Sequence, residues 1–278
     1  MGAKQQQSLI RFDPNGGLIE TLYAMMLDEL ECSHYEAGEV AMFKDPIRHY
    51  GRYLNPETRE YALQNAVSNI SAAVEYLSRG GTHPKRLLDL GCGLGMQSII
   101  FAALGWEVVG VDVAPRCIAL CRKRQRYFEA RLGRELAMQF VAIDFLKADP
   151  NSLGGKCDAL FSMSALAYIQ PLQETVAKVS SILSSRSRVL LWDRNPGYLF
   201  LDGFGLRHRR IPRPTDVREE FSRHGFSADL LRGGCAIPRQ FWWPKALNGA
   251  IPRLNGLLMK RVRLSFSYLL GASREMQL

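Results

Sequence analysis

The feature that most constrains this chain is the regular alternation of short apolar runs with longer amphipathic stretches, which begins at residue 86. The runs are short enough for strands, and the stretches between them repeat apolar residues at helical spacing. This alternation is typical of a mostly parallel sheet covered by helices on both faces, because parallel neighbours need a crossover connection. We therefore predict a doubly wound α/β fold. The predicted strands span residues 86–90, 107–111, 138–143, 159–162, 189–193, 226–231 and 264–272.

The same periodicity predicts helices over residues 18–30, 56–77, 95–104, 114–132, 171–183 and 214–224. We divide the chain into a mobile N-terminus (1–15), an N-terminal helical cap (16–82) and a main domain (83–278) that contains the sheet. Two parts of the main domain, about 194–213 and 232–263, are predicted to form a lid over its ligand site. The second is too long for a hairpin turn.

A glycine-rich turn follows the first predicted strand, where residues 87–96 read LLDLGCGLGM. Glycines are needed there because a ligand must approach the backbone closely and because the turn requires dihedral angles closed to other residues. The second strand ends in Asp112, about 20 residues later, where a carboxylate can accept hydrogen bonds from ribose hydroxyls. The third strand leads into Asp144 and Phe145. These features, in this order, predict a site for an adenosine-containing cofactor.

At these residues the chain resembles the class I S-adenosylmethionine-dependent methyltransferases, from about residue 86 to residue 193. The resemblance implies a Rossmann-like seven-stranded sheet, with S-adenosyl-L-methionine as cofactor and S-adenosyl-L-homocysteine as product. It implies that Asp89 holds the amino group of the cofactor, that Asp112 binds its ribose, and that the residues around Asp144 cover its adenine. The implied cofactor set is Asp89, Gly91, Cys92, Gly93, Gly95, Asp112, Val113, Asp144, Phe145 and Ser162.

A nicotinamide or flavin oxidoreductase is the main alternative, because its GxGxxG motif also follows a first strand. Here the third glycine position of that motif is Met96. Asp89 also lies directly before the turn, where it would repel a pyrophosphate but suits a zwitterionic amino acid. Both residues favour the methyltransferase interpretation.

The segment after the fourth predicted strand excludes some classes of methyl acceptor. Residues 161–166 read FSMSAL and lack the Asn/Asp-Pro-Pro-aromatic motif of enzymes that methylate the adenine amine or a glutamine amide. Neither Cys157 nor Cys235 follows a proline, as the nucleophile used on cytosine carbon does. The resemblance is therefore to the broad group that methylates oxygen, nitrogen or carbon of a small molecule.

Acceptor contacts are expected over the carboxyl ends of the strands, from the cap, the loop after the fifth strand and the lid. No general base follows from the sequence, because methyl transfer requires mainly positioning. Candidates for catalysis are His49, Tyr50, Tyr53 and Arg194. Candidates for acceptor binding are Tyr198, Arg239, Phe241, Trp242 and Trp243. The six cysteines form no CxxC pair, so we expect reduced thiols and no metal site.

The net positive charge is concentrated near the C-terminus. Residues 201–278 carry 14 basic and 6 acidic side chains, which is +8 of the formal net charge of +9. A basic surface of this kind can attract RNA or an anionic membrane, or it can be a solvated rim without a partner. The RNA alternative would use residues 207–210 and 260–263, and peripheral lipid contact would use 257–263. A scaffold that binds the cofactor without catalysis also stays open.

The length of apolar runs excludes a membrane-spanning segment, since none approaches about 20 uninterrupted apolar residues. The first seven residues, MGAKQQQ, lack the pattern of a secretory signal. We therefore expect a cytoplasmic location. The sequence leaves the oligomeric state open.

Overall fold

The computed structural model describes residues 17–31, 35–44, 53, 56–79, 86–197, 211–235, 254, 257–262 and 265–274. Within them, seven strands form one sheet, and seven α-helices have both of their ends among the described residues. The helices are α1 (Gly17–Glu31), α2 (Ala37–Lys44), α3 (Pro56–Ser78), α4 (Met96–Ala103), α5 (Pro115–Leu132), α6 (Leu172–Ile182) and α7 (Pro214–Arg223). The strands are β1 (Arg86–Leu90), β2 (Glu107–Asp112), β3 (Met138–Ala142), β4 (Cys157–Met163), β5 (Leu183–Arg194), β6 (Ser227–Cys235) and β7 (Ser267–Arg274).

The strand order is β3-β2-β1-β4-β5-β7-β6. The first five strands in this order are parallel to one another, and β7 runs antiparallel to both β5 and β6. The predicted doubly wound, mostly parallel sheet of seven strands is confirmed. The order reverses between β1 and β4, and open α/β sheets bind their ligands in the crevice at the carboxyl ends of such strands.

The predicted N-terminal cap, as far as the structure describes it, shares a hydrophobic core with the sheet. Leu22 and Met26 of α1 and Ile70 of α3 are fully buried in the same cluster as Phe161 of β4 and Leu190 of β5. Burial of these side chains stabilises the fold by roughly 1.5 to 3 kcal/mol each. The cap therefore packs on the sheet and lies over its central strands.

Several elements differ in length from the prediction. β5 begins at Leu183 rather than at residue 189, because Ser187 and Arg188 pair with β7 although the segment is polar. α2 was not predicted, since eight residues are too few to show a clear helical period.

The predicted lid segment 232–263 begins inside a strand. β6 continues to Cys235 through Gly233 and Gly234, and a Cβ on Gly233 would lie 2.0 Å from the Ser265 hydroxyl oxygen. In the sequence, a pair of glycines suggests a turn. In the fold, Gly233 lies within a strand and permits close approach of the segment around Ser265.

The remaining described parts of the two lid segments lie against each other. Asn195, which follows β5, donates hydrogen bonds to the carbonyl oxygens of Val262 (2.8 Å) and Ser265 (3.0 Å). The Gly233 amide donates to the Met259 carbonyl oxygen at 2.9 Å. No described helix combines the length and apolar character that crossing a membrane requires.

Candidate active site

A cavity of about 610 Å³ opens at the carboxyl ends of the parallel strands, at the reversal between β1 and β4. One wall, which we call the cofactor wall after the ligand predicted from the sequence, consists of the glycine turn and the residues that end or follow β1, β2 and β3. The opposite wall, the acceptor wall, comes from the ends of β4 and β5, the loop after β4 and the N-terminal helical region. The cavity therefore has two chemically distinct sides.

The glycine turn is tied to the end of β2. The amides of Gly91 and Cys92 both donate to the Val111 carbonyl oxygen at 2.9 Å, and the Gly93 amide donates to Asp112 Oδ2 at 2.9 Å. Gly91 has a φ of 73°, and a Cβ there would lie 2.4 Å from the Ala165 Cβ. Only glycine fits this position, which explains the residue type on both conformational and steric grounds.

Asp112 lines the cofactor wall at the end of β2. Its Oδ1 accepts from the Ala114 amide at 2.9 Å while Oδ2 holds the glycine turn. The next residue, Val113, lines the cavity with 71% of its surface exposed. The end of β2 thus presents a fixed carboxylate beside an exposed apolar side chain, an arrangement that suits a ribose joined to a flat ring.

Asp89 is a buried acid at the base of the cavity, with 2% of its surface exposed. Burial raises the pKa of its carboxyl group to about 7, and the charge of Asp112 acts in the same direction. The Ser98 hydroxyl donates to Asp89 Oδ2 at 2.6 Å and opposes this rise. A ligand cation at this place would stabilise the ionised form of Asp89.

Asp144 and Phe145 complete the cofactor wall after β3. Asp144 Oδ1 accepts from the Leu146 amide at 3.2 Å and caps the short helical turn Phe145–Lys147. Phe145 is buried and lines the cavity, so an apolar ring and an acid meet at the edge of the site.

Comparison with known proteins agrees with this geometry. A family model described as a methyltransferase domain matches residues 87–186, which include the glycine turn, Asp112 and Asp144. This match supports a class I methyltransferase domain over residues 87–186. A dinucleotide-binding fold orders its strands 3-2-1-4-5-6, whereas the sheet of this chain has an antiparallel β7 between β5 and β6. The comparisons and the strand order therefore do not support the oxidoreductase alternative.

Curated relatives of the chain are O-methyltransferases by name. A ubiquinone biosynthesis O-methyltransferase of Xanthomonas axonopodis pv. citri is 26% identical over 151 residues, which are 53% of this chain and 60% of that protein. A magnesium-protoporphyrin O-methyltransferase of Synechocystis is 25% identical over 185 residues, which are 62% and 76% of the two chains. The chain thus spans less than two thirds of the length of the Xanthomonas relative.

Solved structures share the fold at lower identity. Magnesium protoporphyrin IX methyltransferase of Synechocystis, solved with bound S-adenosylmethionine, superposes with a TM-score of 0.55 at 16% identity and covers 88% of this chain and 100% of its own. A geranyl diphosphate C-methyltransferase of Streptomyces coelicolor gives a TM-score of 0.56 at 14% identity, over 80% and 88% of the two chains. At these identities the likeness concerns the fold of the methyltransferase domain.

All but two of the predicted cofactor residues of the methyltransferase domain line the cavity. The exceptions are Gly95 and Ser162. A Cβ on Gly95 would lie 2.9 Å from Cys121 Sγ, so this glycine permits close packing behind the turn. Ser162 is buried, and its hydroxyl donates to the Leu90 carbonyl oxygen at 2.9 Å, which ties β4 to β1. Its neighbours Met163 and Ser164 line the cavity instead.

Of the candidates predicted for catalysis or acceptor binding, Tyr53 and Arg194 line the cavity. The remaining predicted residues lie outside the described residues: His49, Tyr50, Tyr198, Arg239, Phe241, Trp242 and Trp243.

Several residues of the acceptor wall were not among the candidates from the sequence. Tyr23 and Met26 line the cavity from α1, and their spacing of three marks one helix face, which in sequence looks like ordinary core. Tyr168 and Gln170 come from the loop after β4, where the residue pattern excluded certain acceptor classes but did not indicate a contact residue.

Proposed function

We propose that this protein transfers the methyl group of S-adenosyl-L-methionine to oxygen, nitrogen or carbon of a small-molecule acceptor. The observation that carries the proposal is a cavity with two distinct walls. The cofactor wall holds three carboxylates and the glycine turn, while the acceptor wall is mostly apolar and aromatic. A volume of about 610 Å³ falls in the range of sites for small ligands and cofactors.

The described residues fit the cofactor in shape and charge. Gly93 lines the cavity, and a Cβ on this residue would meet nothing within 4 Å. The turn therefore leaves space for a ligand directly against its backbone. Asp89 would hold the amino group, because a buried carboxyl with a raised pKa gains from a nearby cation. Asp112 would bind the ribose, and Val113 and Phe145 would contact the adenine.

When bound, the cofactor would supply a methyl group on a sulfonium. The acceptor would form a bond to the methyl carbon as the carbon–sulfur bond breaks and leaves its electron pair on sulfur. The residues of this chain hold the acceptor in line and keep water away. Tyr23, Met26 and Tyr53 would cover the acceptor from the cap side. Among the described residues, the acceptor wall carries no carboxylate or imidazole. We therefore propose that positioning supplies most of the catalysis.

The names of the relatives support a small organic acceptor. Two curated relatives are named for methylation at oxygen in ubiquinone biosynthesis and on magnesium-protoporphyrin. A structure with the same fold is named for methylation at carbon of geranyl diphosphate. Proteins of this fold thus methylate different acceptor atoms, so the proposal includes methylation at oxygen, nitrogen or carbon.

Calorimetry with the full chain tests the proposal. We expect S-adenosylmethionine and S-adenosylhomocysteine to bind with dissociation constants in the micromolar range, or roughly −8 kcal/mol. NAD⁺ serves as the matched control, since it also carries adenosine, and it should bind much more weakly. Tight binding of NAD⁺ without binding of either sulfur ligand would contradict the proposal. Release of S-adenosylhomocysteine during incubation with candidate acceptors then measures turnover.

RNA and anionic lipid stay alternatives for the basic C-terminal quarter, beside a solvated surface without a partner. The basic segment 207–210, on which an RNA acceptor would depend, and residue Arg263 lie outside the described residues. The cytoplasmic location, the lid and the three-part division of the chain likewise stay predictions. Retention on RNA or on anionic vesicles that falls steeply with salt would favour the corresponding partner.

A further inference from the structure

The charges of the cavity are arranged asymmetrically. Asp89, Asp112 and Asp144 lie on the cofactor wall. Among the described residues that line the acceptor wall, Arg194 is the only charged side chain. An acceptor with an anionic group would be repelled from the first wall and attracted to the second, so the charges would select one orientation.

We infer that the acceptor carries an oxyanion, a carboxylate or a phosphate, that binds to Arg194 beside the ring of Tyr168. The inference deepens the proposed function and rests on it, because it names the chemical class of the second ligand. Arginine suits this role, since its planar guanidinium donates two parallel hydrogen bonds to an oxyanion.

Arg194 is available to such a ligand. It makes no ion pair within the described part of the chain, and its Nη2 lies 3.5 Å from the Tyr168 hydroxyl. The adjacent carboxylate of Asp193 is buried, and its oxygens accept from the backbone amides of Arg194 (2.7 Å) and Leu166 (3.3 Å). The carboxylate of Asp193 therefore binds backbone amides of β5 and of the loop after β4.

Tyr168 provides an apolar surface next to this cation. Its side chain lines the cavity and 65% of its surface is exposed, so the ring is accessible to a ligand. Ring contacts between aromatic groups add to the stabilisation that simple area burial provides. An aromatic acceptor with an acidic substituent would use Tyr168 and Arg194 together.

The geometry of this pair is fixed by the backbone. Ser164 has a φ of 56° without being glycine, and its amide donates to the Trp192 carbonyl oxygen at 2.9 Å. Together with the bond from the Leu166 amide to Asp193, this ties the loop that carries Tyr168 to the end of β5. Non-glycine residues in this conformation are costly and concentrate at functional sites. The loop is therefore preorganised beside Arg194.

The test uses three phenols that differ in one substituent: 4-hydroxybenzoate, 4-hydroxyphenyl phosphate and the neutral 4-hydroxybenzamide. Each is titrated by NMR into the full chain loaded with S-adenosylhomocysteine. We expect at least one of the two anions to bind about tenfold more tightly than the amide, as a charge-assisted hydrogen-bond pair provides. The better anion identifies carboxylate or phosphate as the group recognised.

Variants then locate the effect. Arg194→Gln should abolish the preference for the anion while the affinity for S-adenosylhomocysteine changes by less than about twofold, and Arg194→Lys should retain part of the preference. Arg223→Gln is the matched control, because it removes a cation from α7 that pairs with Glu219 and Glu220 and does not line the cavity. It should keep the preference of the parent.

The inference is overturned if the loaded parent binds neither anion more tightly than the amide, or if Arg194→Gln keeps the preference. Binding of S-adenosylhomocysteine in these cases leaves the proposed function intact. A parent that binds no S-adenosylhomocysteine contradicts the proposed function, and the inference falls with it.

Discussion

Arg124 and Glu29 form an ion pair in which both side chains are fully buried, with Arg124 Nη2 2.7 Å from Glu29 Oε2 and Nε 2.9 Å from Oε1. The pair joins α5 to α1. Arg124 also donates to the carbonyl oxygen of Leu94 in the glycine turn, and the Tyr35 hydroxyl donates to Glu29. One guanidinium therefore links the N-terminal helices to the backbone that surrounds the cofactor wall.

Replacing Glu29 by Gln should be strongly destabilising, because it leaves the Arg124 guanidinium buried without a counter-charge. Removal of one partner from a buried pair costs about 3 to 5 kcal/mol. The free energy of unfolding in urea measures the effect. Asp28→Asn is the control, since Asp28 is the adjacent acid on α1 and its side chain is 62% exposed, 4.0 Å from Arg131. It should change stability by less than about 0.5 kcal/mol. Equal stability of the two variants would contradict the prediction.

Asp112→Ala should weaken binding of S-adenosylhomocysteine by about tenfold or more, because charge-assisted hydrogen bonds to the ribose are lost and the Gly93 amide loses its acceptor. Asp149→Ala is a matched control, since Asp149 also caps a short turn but does not line the cavity. Calorimetry at equal fractions of folded protein makes the comparison. Unchanged affinity in Asp112→Ala would show that the ribose does not bind at the end of β2.

The stability of the ligand-free protein should depend on Asp89. Its pKa is about 7 in the folded chain against an ordinary 3.8, so the unfolded chain loses its proton first as the pH rises. The free energy of unfolding should therefore fall as the pH rises from about 4 to about 7, and Asp89 should cause no further change at higher pH. Asp89→Asn cannot ionise and should lose less stability over this range than the parent. Parallel pH profiles of the two proteins would argue against a raised pKa at this residue.

Cofactor affinity should show the opposite pH dependence. Because an ionised Asp89 would attract the amino group, the affinity for S-adenosylmethionine should rise as the pH increases through about 7. The Asn variant should bind weakly, with a flatter profile across the same range. Titrations between about pH 6 and about pH 7.5 suffice to compare the two, because the amino group of the cofactor itself loses its proton at about pH 8. A parent affinity that falls with pH would rule out this role for Asp89.

Gly91→Ala and Gly93→Ala separate steric from conformational effects in the glycine turn. Both residues have positive φ, of 73° and 55°, so both substitutions carry a conformational cost of about 1 to 2 kcal/mol. Only at Gly91 would the new methyl group meet the Ala165 Cβ, at 2.4 Å. Gly91→Ala should therefore be less stable than Gly93→Ala by about 1 to 3 kcal/mol in thermal or urea unfolding. Similar stabilities would mean that the loop after β4 moves aside easily.

The sequence alone predicted the elements whose signal is local. The apolar runs that became β1 and β2 are buried on both faces, and the turn at Gly91 needs a conformation that few residues adopt, so both appear directly in the residue pattern. Asp112 could be placed for a similar reason, because it ends a strand whose neighbour carries the glycine turn. Helical spacing likewise fixed the positions of α3 and α5 closely.

Only the tertiary structure decided which side chains meet across the cavity. Tyr23 belongs to an apolar helix face, and such a face does not specify what it packs against. The polar start of β5 became a strand through its pairing with β7, and Arg194 came to lie beside Tyr168 through backbone bonds between β4 and β5. Contacts between residues far apart in the chain depend on the whole packing arrangement, and no local pattern encodes them.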